Sequence, residues 1–87
     1  MNTNQLISEL HELGILPNYF SILEGLKPDS IILDYYHGIW KVFYFSERGQ
    51  ESDEHIFSSE EDACLYIYNK FKKMKETMEK SINNELS

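Results

Sequence analysis

The chain of 87 residues carries 15 Asp and Glu against 8 Lys and Arg, a formal net charge of −7. That length admits a single domain over 1–87 and leaves little chain for both a core and a shaped catalytic pocket. A hydrophobic fraction of 41% with 14% aromatic residues excludes the disordered class. No apolar run approaches the roughly 18–20 residues of a membrane span, and no basic-then-apolar leader follows Met1, so a soluble, cytoplasmic protein is expected. The single Cys64 excludes an internal disulfide and a multi-thiolate metal site.

Leu6, Ile7, Leu10 and Leu13 recur at helical spacing, with Thr3 as the expected N-cap. Gly14 suits the left-handed position after the last turn, Ile15 can fold back on Leu10, and Pro17 forbids continuation. Residues 18–23 read as a short strand, followed by turn signals at Gly25 and Lys27-Pro28-Asp29-Ser30. Residues 31–57 read as an antiparallel meander: a strand over 31–36, a His37-Gly38 turn, a strand over 39–46, a turn over 47–50, and a strand over 53–57. Along 39–46 both faces are largely apolar. Trp40, Val42 and Tyr44 share one; Ile39, Phe43 and Phe45 flank Lys41 on the other. This marks a central strand with both faces at least partly covered. The charged Asp53-Glu54-His55 marks an edge strand.

The last segment predicts a helix. Ser58 and Glu61 have capping-box spacing, and Glu60, Glu61 and Asp62 sit at the positive end of the dipole. Cys64, Ile67, Phe71, Met74 and Met78 form one apolar stripe, widened by Leu65 and Tyr68. Beyond Lys80 the chain turns polar and is expected to fray over 81–87. The expected fold is α+β, a small antiparallel sheet of three to four strands flanked by an N-terminal and a long C-terminal helix, α-β-β-β-α.

No phosphate-binding glycine loop and no metal-binding spacing occurs, so neither a cofactor nor a metal is expected. In the one close group of ligand types, Asp53 and His55 share a strand face while Glu54 points away, and two ligands do not make a site. Cys64 falls on the buried stripe, the place of a structural thiol. His11 lies on the polar side of the first helix and His37 in a turn. Nothing holds a nucleophile, base or carboxylate pair in a working geometry, so an enzyme is not expected.

The charge is uneven: residues 1–62 hold 12 acids and 3 bases, residues 63–87 hold 3 acids and 5 bases. An acidic surface repels nucleic acid and suits a basic protein. The candidate partner-binding residues are therefore Glu47, Glu51, Asp53, Glu54, Glu60 and Glu61, with Tyr35 and Tyr44 as exposed aromatic anchors of the sheet.

Gly14-Ile15, Tyr19 with Ser21-Ile22-Leu23 and Gly25, Trp40-Lys41-Val42-Phe43-Tyr44, Glu47-Arg48-Gly49, and Phe57 with Ser59-Glu60-Glu61 and Ala63-Cys64 follow one another in a recognisable order. The pattern, over residues 5–75, resembles that of small bacterial immunity proteins of polymorphic and contact-dependent toxin systems. The double glycine usual after Ser-Ile-Leu is Glu24-Gly25 here. The resemblance implies a cytoplasmic inhibitor that binds the C-terminal domain of its cognate toxin, in many cases a nuclease with a basic groove; a monomer is expected over a dimer. Two other readings fit the acidity and size: a nucleic-acid-mimicking inhibitor of a host or defence nuclease, and a small protein–protein adaptor paired through its last helix.

Overall fold

In a computed structural model the backbone is described over residues 1–86 and the side chains over 1–77. The order of elements is α1 (Thr3–Glu12), a 3-10 turn (Pro17–Tyr19), β1 (Phe20–Ile22), β2 (Ser30–Tyr36), β3 (Ile39–Phe45), β4 (Glu51–Phe57) and α2 (Glu60–Leu86). The fold is α+β, with one four-stranded sheet in the order β1-β2-β3-β4. Met78 and the tail expected to fray over 81–87 lie outside the residues described in full.

Helix α1 starts one residue earlier than Thr3 suggests. Asn2 is the N-cap: its Oδ1 accepts from the Gln5 N–H at 2.8 Å, while Gln5 Oε1 accepts from the Asn2 N–H at 2.9 Å, a closed capping box. The far end follows the expected stop. Gly14 takes φ +80°, its N–H bonds the His11 carbonyl, and the Ile15 N–H bonds the Leu10 carbonyl. These two bonds define a Schellman closure. The cap of α2 is shifted as well. Ser59, not Ser58, accepts from the Asp62 N–H at 3.2 Å, and Glu60, Glu61 and Asp62 form the first turn.

The sheet is mixed, which corrects the wholly antiparallel expectation: β1 runs parallel to β2, in the register Phe20↔Ile31 to Ile22↔Leu33. A hairpin turn would have reversed the chain. Instead residues 23–29 carry it back to the start of β2, so both strands leave in the same direction. Ser21 Oγ donates to the Gly25 carbonyl at 2.6 Å, Ser30 Oγ to the Lys27 carbonyl at 2.5 Å, and Lys27 Nζ to the Pro17 and Phe20 carbonyls. Ser21 and Ser30 point to the face away from the helices, so this return lies across that face. The β2–β3 hairpin closes at His37-Gly38, both at positive φ (51° and 78°), the turn whose twist matches two antiparallel strands.

The core lies between the sheet and both helices. Phe20, Ile22, Ile31, Leu33 and Val42 face Leu6 and Leu10 of α1 and Ala63, Cys64, Ile67 and Phe71 of α2. The helices are tied at both ends: the Thr3 N–H bonds Glu60 Oε2 at 3.0 Å, and Lys75 Nζ donates to the Leu13 carbonyl. The stripe expected to run through Met74 turns away from the core after Phe71, for Met74 is 50% exposed. On the opposite face Ile32 and Phe43, register partners across β2 and β3, are also buried. Lys41 Nζ lies 4.8 Å from the centre of the Phe43 ring, and the return loop is bonded to this face at Ser21, the register neighbour of Ile32, and at Ser30. The central strand is thus covered in part on both faces, fully only at Val42 and Phe43.

Candidate functional site

The eight residues singled out from the sequence divide between the two faces and the ends of the sheet. Asp53 sits in a β-bulge: Val42 pairs with His55 and Tyr44 with Ser52, so Asp53 and Glu54 together oppose Phe43. Its backbone is left-handed, φ +53°. The bulge turns its carboxylate toward the helix side, where Oδ2 accepts from Lys70 Nζ at 2.8 Å and Oδ1 lies 3.1 Å from His55 Nε2. The Lys70 bond foremost, then His55, holds the Asp53 carboxyl below the ordinary carboxylate value. The same bond raises the Lys70 ammonium. The His55 ring in turn packs on Tyr66 of α2, centroids 4.6 Å apart.

Glu51 and Glu54 point to the opposite face. Both bind Lys41 Nζ, at 3.0 and 3.4 Å, and raise its pKa, the Glu51 hydrogen bond most. Glu60 serves the junction of the two helices through the Thr3 N–H. Glu61 is exposed beside it in the first turn of α2, and Glu47 lies in the β3–β4 turn. Tyr35 packs on its register partner Trp40, centroids 4.4 Å apart. The Tyr44 hydroxyl donates to Asp29 Oδ1 at 3.0 Å, a bond that raises its pKa. The acidic run is therefore not one patch. Glu51 and Glu54 are brought together; Asp53 is turned away from them, and Glu47 and Glu60 sit apart from the pair.

An open cleft of about 340 Å³ lies between the sheet and α2, floored by Ile31, Phe71 and Met74. The Tyr44–Asp29 and Lys70–Asp53 pairs are among its walls. The polar atoms of those two pairs are engaged with one another, and the hydroxyls of Tyr19, Ser30 and Ser52 also line the cleft. Cys64 is fully buried, and burial pushes its thiol up to about 11, the state of an inert structural cysteine. Among the described residues no group of three or more His, Cys, Asp or Glu is placed to hold a metal ion. Among the described residues no helix is long and apolar enough to cross a membrane.

The sequence reading missed the open part of the face away from the helices. Tyr36 and Ile39 are register partners at the hairpin end, and Ile56 is the partner of Lys41. They are 70%, 44% and 58% exposed. The signal was present in the alternation of 39–45, which places Ile39, Lys41, Phe43 and Phe45 on one face. What it lacked was the knowledge that only the Phe43 end of that face is roofed. Comparison with known proteins adds no assignment: no family model, curated protein or solved structure matches the chain.

Proposed function

We propose that this protein is an immunity-type inhibitor that binds the basic C-terminal domain of a cognate toxin in the cytoplasm and neutralises it by occupying its surface, with no catalysis of its own. The resemblance over residues 5–75 supplies the class. The observation that carries the partner's charge is the internal use of the cations. Of the three bases in residues 1–62, Lys27 is bound to carbonyls and Lys41 to Glu51 and Glu54; with Asp53 held by Lys70, nine of the 12 acids in that stretch meet no Lys or Arg among the described residues. Such a surface steers and orients a basic partner and repels phosphate.

The test is capture of the tagged chain with its partner from source cells, read by native mass spectrometry, followed by co-expression with the captured domain. A stoichiometric basic domain from the end of a larger protein, harmful alone and harmless with this chain, is the expected result. Self-association alone would overturn the reading in favour of an adaptor, and a host nucleic-acid-binding complex in favour of a nucleic-acid mimic. Neutralising Glu51, Asp53 and Glu54 together should slow association, most at low salt. Since these carboxylates also hold Lys41 and Lys70, a thermal melt must accompany that variant.

A further inference from the structure

We propose that the open end of the sheet face away from the helices, centred on Tyr36, Ile39 and Ile56, is the docking surface for a basic protein partner that presents arginine or lysine beside an apolar side chain. This rests on the reading of the chain as an inhibitor of a basic domain and names the surface that such a domain would use.

Three observations carry it. The first is apolar exposure. Tyr36 lies directly across from Ile39, and Ile56 lies across from Lys41, the next residue of β3 on the same face. All three are exposed by 44% or more. A contiguous apolar group of this kind on a small monomer marks an interaction site more often than a scattered one does. Tyr35 on the helix side stacks on Trp40 and Tyr36 packs on the adjacent His37, centroids 4.1 Å apart, yet Tyr36 is the more exposed of the two, 70% against 50%.

The second is the charge around that group. Among the described strand residues on this face, Asp34, Glu51 and Glu54 stand with one ammonium, that of Lys41. Lys41 is the register partner of Asp34, yet its Nζ turns to Glu51 and Glu54. Asp34 Oδ1 accepts only the Tyr35 N–H, and its carboxylate meets no cation among the described residues. An incoming guanidinium can bond that carboxylate and lie on the exposed Tyr36 ring. The same charge argues against the other occupants. Two copies joined through this face would set carboxylates against carboxylates, and a nucleic acid would set phosphate against them.

The third is rigidity. The surface stands on a seven-residue hairpin pair closed by a two-residue turn, with Phe43 and Ile32 buried beneath its inner part. Little ordering is needed on binding. The three apolar side chains contribute nothing to the core between sheet and helices, so they can be truncated without unfolding the protein.

The experiment pans a phage-displayed library of random dodecapeptides on the intact chain, with the Tyr36→Ala/Ile56→Ala double variant as counter-target and circular dichroism melts to show that the variant is folded. The expected peptides carry Arg or Lys next to an aromatic or aliphatic residue. They bind the double variant about tenfold or more weakly, weaken with added salt, and weaken several-fold, by roughly one charged contact, on Asp34→Asn. Enriched peptides that are neutral or acidic, peptides that bind the double variant as well as the parent, or no enrichment at all would overturn the proposal. The affinity of a captured natural partner for the same variant separates this proposal from the reading beneath it. A toxin domain whose affinity is unchanged by the double variant keeps the inhibitor and removes this surface. Basic peptides that obey the rule, with no toxin domain captured, keep the surface and remove the inhibitor.

Discussion

The two faces of the sheet are closed by different means. Toward the helices, Leu33 and Val42 meet Leu6, Leu10, Cys64 and Ile67, all of them 0–1% exposed, and two whole elements exclude water. On the other face Ile32 and Phe43 are almost as dry, at 1% and 3%, yet no helix lies there: a seven-residue loop is bonded to that face at Ser21 and Ser30, and Lys41 lies over Phe43. A helix covers a face along its full length; a loop covers only what lies beneath it. The remainder of the second face, from Asp34 and Lys41 to the hairpin end, is left to solvent, and it is this remainder that has the composition of a binding surface. Structural and interaction roles are thus divided along β3 residue by residue.

Truncation of the helix-covered face should have the largest effect. Leu33→Ala is expected to cost about 3–4 kcal/mol, the transfer loss plus a sealed cavity, read as the fall in free energy of urea unfolding. For a small domain that is a large part of the whole stability. A cost below about 1 kcal/mol would show that α1 and α2 collapse onto the gap and that this face is looser than its burial indicates.

Cys64 reports on the same face through pH. Its thiol titrates near 11 in the fold against an ordinary 9.0. A group raised on folding lends stability that is whole below the unfolded value and is lost as pH climbs through the folded one. The parent should therefore lose up to about 2–3 kcal/mol more than Cys64→Ala between these two values, measured as the difference of their unfolding curves. Near neutral pH a thiol reagent should label Cys64 only as fast as the protein unfolds. Rapid labelling of native protein would mean that water reaches the helix-covered face.

The loop-covered face should yield less. Phe43→Ala removes a larger side chain than Leu33→Ala but opens a gap that the Lys41 stem and water can enter, so about 2 kcal/mol is expected, below the roughly 3–5 kcal/mol of a sealed phenylalanine site. A cost above that of Leu33→Ala would reverse the order of the two faces. The smallest effects separate the two parts played by Lys41. Lys41→Met keeps the stem over Phe43 and removes the charge, and should change stability by less than about 0.5 kcal/mol, as for other exposed ion pairs. Lys41→Ala removes the stem as well and should cost about 1 kcal/mol more through exposure of Phe43. Equal costs for the two variants would assign the closure of this face to the loop alone.

Much of the fold was legible because it rests on local chemistry. Gly14 and Pro17 end α1, and His37-Gly38 sets the hairpin. The alternation along 39–45 gives a central strand, and Cys64, Ile67 and Phe71 give the buried side of α2. The caps were read one residue off in both helices, at Thr3 for Asn2 and at Ser58 for Ser59. Adjacent polar side chains offer the same oxygen to the first turn, and only the entry path of the chain selects between them. Glu47 to Glu61 read as one acidic stretch, although a strand sends successive residues to opposite faces and the bulge at Asp53 adds a further turn.

The sequence by itself determined the elements, their turns, the apolar stripe of each helix and the acidic sign of the surface, because each follows from residues within a few positions of one another. Tertiary structure decided the rest. The parallel pairing of β1 with β2 depends on where residues 23–29 return. The partners of each carboxylate depend on which lysine a distant strand or helix brings near, Lys70 for Asp53 and Lys41 for Glu51 and Glu54. The exposure of Tyr36, Ile39 and Ile56 depends on how far a loop reaches across a sheet. None of these is written in local spacing, since each is a contact between segments that the chain brings together only when folded.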